Sequence, residues 1–352
     1  MSSMARPRAT VRDVAHRAGV HPSTVSRSLD PVQSARVRES TRRRVEEAAS
    51  ALGYRPDLTA SSLRRRNTRT IGVLISSFSN PIYGELLHGI SAQLEELGYQ
   101  TLIAEVPDVP GRERMSAAID MLQSRRIDGL ICAASRGDDA PVLRELSESG
   151  LPVVLCLRWI GATGIPRVVN DDAFGSALAA GHLLELGHRS VIEIAGPMDI
   201  STFAERHRGF DEVVAGAPYP VRSRTLTTAT PTIEEGQRVI RELLSGGEDL
   251  EATAVFAHND LLAVGAITEL HARGIDCPED VSVVGYNDAP LTEHLKPALT
   301  TIRLEIARMG RAAARAVVAT IGASGERVSD PPIRPALIVR ESTAAPRSAA
   351  SV

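Results

Sequence analysis

From residue 70 onward, short apolar segments alternate with longer amphipathic segments, and this alternation restricts the possible folds more than any other feature of the chain. The pattern predicts an α/β fold with parallel strands. The predicted strands are 70–76, 101–106, 129–133, 153–157, 191–195, 254–258 and 281–286. Four amphipathic segments end in a glycine, as expected where a left-handed residue terminates a helix: Gly98, Gly150, Gly187 and Gly274. A region of this length is best divided into two doubly wound parallel-sheet subdomains.

Positive charge is concentrated at the N-terminal end of the chain. Residues 1–69 contain fifteen arginines and six acidic residues, a net charge of +9, whereas the whole chain carries −3. Residues 70–352 therefore carry −12. A basic segment on an acidic protein indicates that the N-terminal end binds nucleic acid. The alternative interpretation is a solvated basic tail.

The same basic segment has the pattern of a helix-turn-helix. A start signal at Thr10 precedes a helix predicted over 11–18, and Gly19 can turn the chain after it. Pro22 suits the first position of a second helix. A third amphipathic helix, predicted over 41–52, closes a small three-helix core. Charge and helix pattern together predict a DNA-binding head.

Several reaction classes lack the residues that they require. The chain has one lysine, Lys296, and no GxGxxG, GxSxG, HExxH or phosphate-loop motif. His182 and His188 are six residues apart and do not share a helix face, so no metal site is predicted. The adjacent acids Asp171 and Asp172 are interpreted as helix-capping and hydrogen-bonding residues, with acid–base catalysis as the alternative. We therefore predict that the protein is not an enzyme and has no cofactor.

Cellular location is also indicated by the sequence. The longest apolar stretches are strand-length and too short to cross a bilayer. The first residues contain arginines but no apolar segment of the kind that directs secretion. Three scattered cysteines fit a reducing compartment. We therefore expect a cytoplasmic protein with no membrane contact.

Several motifs, in one order, resemble the LacI family of bacterial transcription regulators. They include TVRDVAHRAGVHPSTVSRSLD, ALGYRPDLTASSL, IGVLISSFSNPIYGELLHGI, VVNDDAFG, LLELGHRSV, FAHND, VSVVGYND and LTTI, and they span about residues 10–342. The resemblance implies a helix-turn-helix head at 10–56, a hinge helix or linker at 57–69, and a periplasmic-binding-protein-like core. The implied core subdomains are 70–168 with 303–332 and 169–302 with 333–344, the chain crosses between them near residues 168, 297 and 332, and a disordered tail follows at 345–352.

By the same resemblance, the second helix lies in the major groove of an operator and a hinge leucine enters the minor groove. The implied DNA-binding residues are Thr10, Pro22, Ser23, Thr24, Ser26, Arg27, Ala60, Leu63 and Arg64. Arg27 suits a bidentate contact to guanine, whereas Thr24 and Ser26 suit phosphate contacts. His21 replaces the serine cap that is usual in the family. For the hinge, a plain basic linker is the alternative interpretation.

The resemblance also implies a small-molecule effector in the cleft between the subdomains. The implied effector-binding residues are Ile82, Tyr83, Arg158, Thr202, Arg206, Asn259 and Asn287. Leu157 and Pro231 replace an aspartate and an aromatic ring that are frequent in sugar-binding members. A cleft with an arginine and few acids should prefer a sugar acid, a phosphorylated sugar or another small carboxylate over a neutral sugar. An acid such as Glu205 or Asp288 could neutralise Arg206 and remove that preference.

The sequence thus predicts a cytoplasmic homodimeric regulator, a repressor that binds a pseudo-palindromic operator and responds to a sugar or sugar-derived effector. A periplasmic-type solute receptor is the first alternative, since it would share the body but not the head. A sugar-metabolising α/β enzyme is the second, although no catalytic set of residues supports it. A regulator that binds a protein, or that needs no ligand, is the third.

Overall fold

The structure, a computed structural model, describes residues 9–29, 34–54, 68–161, 163–245, 250–290, 292–322 and 331–347. The chain separates into two compact units, residues 1–68, called the head, and residues 69–352, called the body. Within the described ranges, every helix is too short or too polar to cross a membrane.

The head is built from three helices around a small apolar core. They are α1 (Val11–Ala18), α2 (Pro22–Ser28) and α3 (Glu39–Ala51), and a short 3₁₀ helix occupies Ser34–Arg36. The core consists of Val14, Ala15, Ala18, Val25, Val45, Ala48 and Ala49. The predicted first helix is confirmed, and the third begins two residues earlier than predicted.

Local sequence signals set both ends of α1. The Thr10 hydroxyl accepts a hydrogen bond from the Asp13 N–H at 3.3 Å, and the Asp13 carboxylate accepts one from the Thr10 N–H at 2.7 Å. Gly19 follows the helix with φ 65°, and its N–H donates to the carbonyls of Ala15 and His16. The predicted start and stop of this helix are therefore confirmed.

The first sheet of the body has five parallel strands in the order β2-β1-β3-β4-β5. The strands are β1 (Thr70–Ile75), β2 (Gln100–Glu105), β3 (Gly129–Cys132), β4 (Val153–Cys156) and β5 (Arg167–Val168). Between them lie α4 (Ile82–Glu96), α5 (Glu113–Ser124), a 3₁₀ turn (Gly137–Asp139) and α6 (Ala140–Glu148). The central strands are apolar and buried, as expected where helices cover both faces of a parallel sheet.

The second sheet has six strands in the order β11-β10-β9-β8-β6-β7, and its β10–β11 pair is antiparallel. The strands are β6 (Ser190–Ala195), β7 (Arg222–Thr227), β8 (Ala254–Ala257), β9 (Ser282–Asn287), β10 (Thr300–Arg303) and β11 (Ala336–Ile338). The helices are α7 (Asp172–Glu185), α8 (Ser201–Ala215), α9 (Ile233–Ser245) and α10 (Asp260–Ala272), and a 3₁₀ turn occupies Thr292–His294.

The chain passes between the two sheets three times. It leaves the first sheet after β5, returns through α11 (Ile306–Gly322), and enters the second sheet again at β11. Helix α11 packs against α4, β3 and β4 and so belongs with the first sheet. The chain crosses between β10 and α11, so the crossing expected near residue 297 is wrong, whereas the subdomain boundary expected between residues 302 and 303 lies beside the observed crossing. We call β1–β5 with their helices and α11 the first subdomain, and β6–β11 with their helices the second.

Helices α4 and α11 touch through their backbones. A Cβ atom on Gly89 would overlap the Ala307 carbonyl, and a Cβ on Gly310 would lie 2.9 Å from the Ile90 nitrogen. Each helix thus supplies a glycine where the other helix passes. This contact joins the first helix of the body to the last one.

Each of the seven predicted strands matches an observed strand to within one residue at each end. The four glycines predicted to end helices all have positive φ, at 74°, 92°, 101° and 75°. Strands β5, β7, β10 and β11 were not predicted. The sequence of β7 is RSRTLT and most of the strand is exposed at a sheet edge, so it has no apolar pattern.

The chain after β11 lies on the second subdomain. The buried Ser342 hydroxyl donates to the Val283 carbonyl at 2.6 Å, and Arg347 forms an ion pair with Asp280. Arg347 therefore contacts the second subdomain, and the expectation of a tail that is disordered from residue 345 is wrong as far as residue 347.

Candidate functional site

Helix α2 of the head presents a polar face. Its first residue is Pro22, and the preceding His21 accepts a hydrogen bond from the Ser23 N–H at 3.2 Å through Nδ1. Val25 is completely buried and fixes the helix against the core. Ser23 and Arg27 are exposed on the side away from the core. His21 therefore caps the N-terminus of α2 in place of the expected serine.

Arg27 is held on the surface of α2 by its own helix. Its Nε donates to the Ser23 carbonyl at 3.2 Å. Pro22, Thr24 and Ser26 are partly exposed beside it. Such a face offers a guanidinium and small hydroxyls, which are the groups used for base and phosphate contacts in DNA.

The other predicted DNA-binding residues are Thr10, which precedes α1, and three residues of the predicted hinge at 57–69. Thr10 is exposed, but its hydroxyl also donates to Asp13 at 2.7 Å within the α1 cap. Ala60, Leu63 and Arg64 lie outside the described residues. The assignment of the whole set to DNA stays a prediction.

In the body, predicted effector residues lie at the carboxyl ends of strands in both sheets, and hydrogen bonds from Arg136 and Trp159 to residues 199–201 join these ends. We call the space between the two sets of strand ends the cleft. Ser76, Asp108 and Arg158 follow strands of the first sheet, whereas Asn259 and Asn287 lie at strand ends of the second. Ligands of doubly wound sheets bind at such edges. The fold thus brings the predicted effector residues to the same region.

On the first-subdomain side of the cleft, which we call its first wall, four side chains are joined by successive hydrogen bonds. Arg158 is buried and donates two hydrogen bonds of 2.6 Å to the Asp108 carboxylate and one of 3.2 Å to the Ser76 hydroxyl. Ser76 lies 2.7 Å from the Tyr83 hydroxyl, which donates to the Ala133 carbonyl at 3.3 Å. Burial opposes ionisation of Asp108, yet the charge and hydrogen bonds of Arg158 hold its pKa below the usual value.

The second-subdomain wall is organised by Arg206. Its Nε donates to the buried Asp172 carboxylate at 2.9 Å, another nitrogen donates to the His258 carbonyl, and the guanidinium lies 3.7 Å from the centre of the Tyr286 ring. Burial raises the pKa of the Asp172 carboxyl, and the Arg206 charge opposes that increase. Thr202 is buried one turn earlier on the same helix.

Arg206 is therefore not an unpaired cation. Neither acid considered from the sequence neutralises it, since Glu205 pairs with Arg208 and Asp288 pairs with Arg303 and Arg340. Asp172 does so instead. The charge argument for an acidic ligand consequently fails at this residue.

The other predicted effector residues occupy different roles. The Asn259 side chain caps α10 by accepting from the Leu262 N–H at 2.8 Å, and it donates to the Pro231 carbonyl at 2.9 Å. Asn287 has φ 118°, and its buried Oδ1 has no hydrogen-bond partner among the described residues. Ile82 is buried at the start of α4. Asn287 is thus the predicted residue with an acceptor left for a ligand.

A pair of residues that the sequence did not indicate spans the cleft. Arg136, four residues after β3, donates hydrogen bonds of 2.9 Å and 2.8 Å to the Asp199 carboxylate, in the loop before α8. It also donates to the Asp108 carbonyl at 3.2 Å. The two charges are 63 residues apart in the chain, and no motif connects them.

Under the second wall lies a buried carboxylate, Glu193 of β6. It accepts from His258, His207 and Thr225, each at 2.8 Å. Burial lowers the pKa of His258, so the ring is neutral at pH 7 and donates through Nε2. Through these hydrogen bonds, Glu193 connects β6 to Thr225 of β7 and to His258 at the end of β8. No group of described residues has the composition of a metal site.

Comparison with known protein families covers both units. Residues 10–57 match the family of bacterial regulatory proteins of the lacI type, and residues 68–340 match the periplasmic binding proteins and sugar-binding domain of the LacI family. The chain is 30% identical to the transcriptional repressor PurR of Mannheimia succiniciproducens, over 95% of this chain and 98% of the relative. It is 34% identical to the transcriptional regulator CelR of Thermobifida fusca, over 96% and 99%.

Solved structures show the same architecture. A lac repressor dimer bound to operator and the anti-inducer ONPF superposes with a TM-score of 0.83 at 26% identity, covering 96% of this chain and 100% of that one. A CelR–cellobiose complex gives a TM-score of 0.68 at 31% identity, covering 95% and 100%.

Proposed function

The chain belongs to the LacI family of bacterial regulatory proteins, and from this we propose that α2 of its head reads operator DNA while a small molecule in the cleft controls that binding. It is a DNA-binding transcription regulator. We assign it the role of a repressor, acting as a binding protein rather than an enzyme, in the cytoplasm where its DNA target lies. The exposed face of α2, with Arg27 fixed by the Ser23 carbonyl, is the observation that carries the proposal.

For the effector we propose a carbohydrate or carbohydrate derivative. Both arginines of the predicted cleft set are matched by carboxylates, Arg158 by Asp108 and Arg206 by Asp172. Such pairs offer donors and acceptors together, which suits hydroxyl groups and favours a neutral ligand over a sugar acid. The cellobiose complex of CelR is consistent with this class of ligand.

DNA binding can be tested by fluorescence anisotropy with a labelled fragment from the region upstream of the protein's own gene. Affinity should fall steeply with salt, because several phosphates are neutralised on binding. Arg27→Ala should cost about 1–3 kcal/mol and relax one base position in each half-site. Arg208→Ala is the matched control, since Arg208 is an exposed, ion-paired arginine on α8 of the body.

The same assay separates the alternatives. If the wild-type protein binds no DNA in a salt-sensitive manner, the regulator assignment fails and a solute receptor becomes the better interpretation. Adding neutral and acidic carbohydrates to the protein–DNA complex then identifies the effector class. A response to acidic carbohydrates alone would contradict the preference for a neutral ligand.

A further inference from the structure

We propose that Arg136 and Asp199 form a gate that holds the ligand cleft closed. The inference rests on the proposed function only in treating the cleft as the ligand site. Arg136 belongs to the first subdomain and Asp199 to the second, so their ion pair exists only while the two subdomains are close together.

Contacts within the first subdomain hold the Arg136 side chain in position for its pairing with Asp199. Its Nη1 donates to the Asp108 carbonyl at 3.2 Å, and the carboxylate of Asp108 is in turn bound by Arg158. The same nitrogen of Arg136 lies 3.8 Å from the Asp108 carboxylate. Its guanidinium therefore presents a preformed pair of donors, and a preformed fork loses little side-chain entropy when it binds a carboxylate.

Two backbone groups reinforce the pair at the same place. The Gly137 N–H donates to the Asp199 carbonyl at 3.0 Å, and the Trp159 N–H donates to the Ser201 hydroxyl at 2.8 Å. Together with the two bonds of Arg136, four hydrogen bonds join two loops of the first subdomain to residues 199–201 of the second. Opening of the cleft on this side must break all four.

The gate can open without unfolding either subdomain. The Asp199 side chain is 46% exposed, so water and salt ions reach the carboxylate and can replace the guanidinium. The partners of Arg136 on its own side, Asp108 and Asp139, stay with it when Asp199 leaves. The pair therefore sets how often the cleft opens to exchange ligand.

The test uses hydrogen exchange of the ligand-free, full-length protein. In Asp199→Ala, peptides that contain the amides of Gly137 and Trp159 should exchange about tenfold faster than in wild type, because loss of charged hydrogen bonds lowers the ratio of closed to open protein by about that factor. Asp211→Ala, which removes an exposed carboxylate from the neighbouring helix α8, should leave both peptides unchanged. Unchanged exchange in Asp199→Ala, with α8 still protected, would overturn the proposal.

A second measurement needs no variant. Trp159 is the single tryptophan of the chain and borders the gate, so its quenching by acrylamide reports opening. Quenching of the wild-type protein should increase with salt, which screens the exposed carboxylate, and Asp199→Glu should remain closer to wild type than Asp199→Ala. Quenching that is independent of salt would contradict the gate. Neither measurement involves DNA, so failure here leaves the assignment as a regulator intact.

Discussion

Arg206 is buried in the body with a carboxylate, that of Asp172, 2.9 Å from its Nε. Removing either partner alone would leave an uncompensated charge in a region from which water is largely excluded. The sequence motif identifies Arg206, but Asp172 lies 34 residues earlier, where the sequence indicates a helix cap. Asp171 fills that capping role, since its carboxylate accepts from the Phe174 N–H at 3.1 Å. A side chain's local role could therefore be predicted, whereas its distant partner could not.

We expect the stability of the body to depend on pH through Asp260. Its carboxylate is buried and accepts from the Ala289 N–H and the Thr301 hydroxyl, both at 2.6 Å. Burial raises the pKa of this carboxyl from 3.8 to about 7. Between these values the folded state keeps a proton that the unfolded state releases, so the Asp260 contribution to stability falls as pH rises through this range.

Asp260→Asn should remove this fall, because the amide is neutral at every pH and can accept from Ala289 and donate to Thr301. Relative to wild type, its free energy of unfolding should rise with pH, by up to about 4 kcal/mol between the two pKa values. Urea unfolding of both proteins at several pH values measures the difference. Asp120→Asn, on the exposed side of α5, should follow the wild-type profile. Parallel profiles for Asp260→Asn and wild type would refute the assignment.

At the scale of elements, helices α4 and α11 approach each other as closely as glycine allows. Gly89→Ala places a methyl group against the Ala307 carbonyl, which is backbone and cannot rotate away. We expect a loss of about 1–3 kcal/mol in the free energy of unfolding. On the same helix, a Cβ atom added to Gly84 would have no neighbouring atom within 4 Å. Gly84→Ala should therefore stabilise the protein by about 0.5–1 kcal/mol.

Thermal or urea unfolding of the two variants checks this pair of predictions. Because the substitutions are chemically identical and five residues apart on one helix, differences in helix propensity cancel. Equal effects of the two changes would show that the contact between the helices tolerates a methyl group.

Elements whose ends depend on neighbouring residues could be predicted from the sequence. The cap of α1 involves residues three apart, and Gly98, which ends α4, has φ 74°. Strand β7 could not be predicted, since an exposed edge strand needs no apolar residues and its pairing with β6 depends on the rest of the sheet. Likewise, Arg136 and Asp199 meet only after both subdomains have formed.

For the whole molecule, we expect a homodimer in solution. A single head contacts too few base pairs for tight specific binding, and a pseudo-palindromic operator requires two heads. Light scattering at low micromolar concentration should give twice the chain mass of 37.6 kDa. A mass of four chains would contradict this expectation, and a mass of one chain would remove the basis for a two-fold operator.

The position of α11 has a consequence for protein synthesis. The head forms from residues 1–68, whereas the first subdomain is complete only when α11, which is made after all five strands of that subdomain, packs on α4. On the ribosome, N-terminal domains generally fold first. The head of the nascent chain therefore folds before the body is complete. A message cut short before α11 would yield a complete head attached to an unfinished sensor.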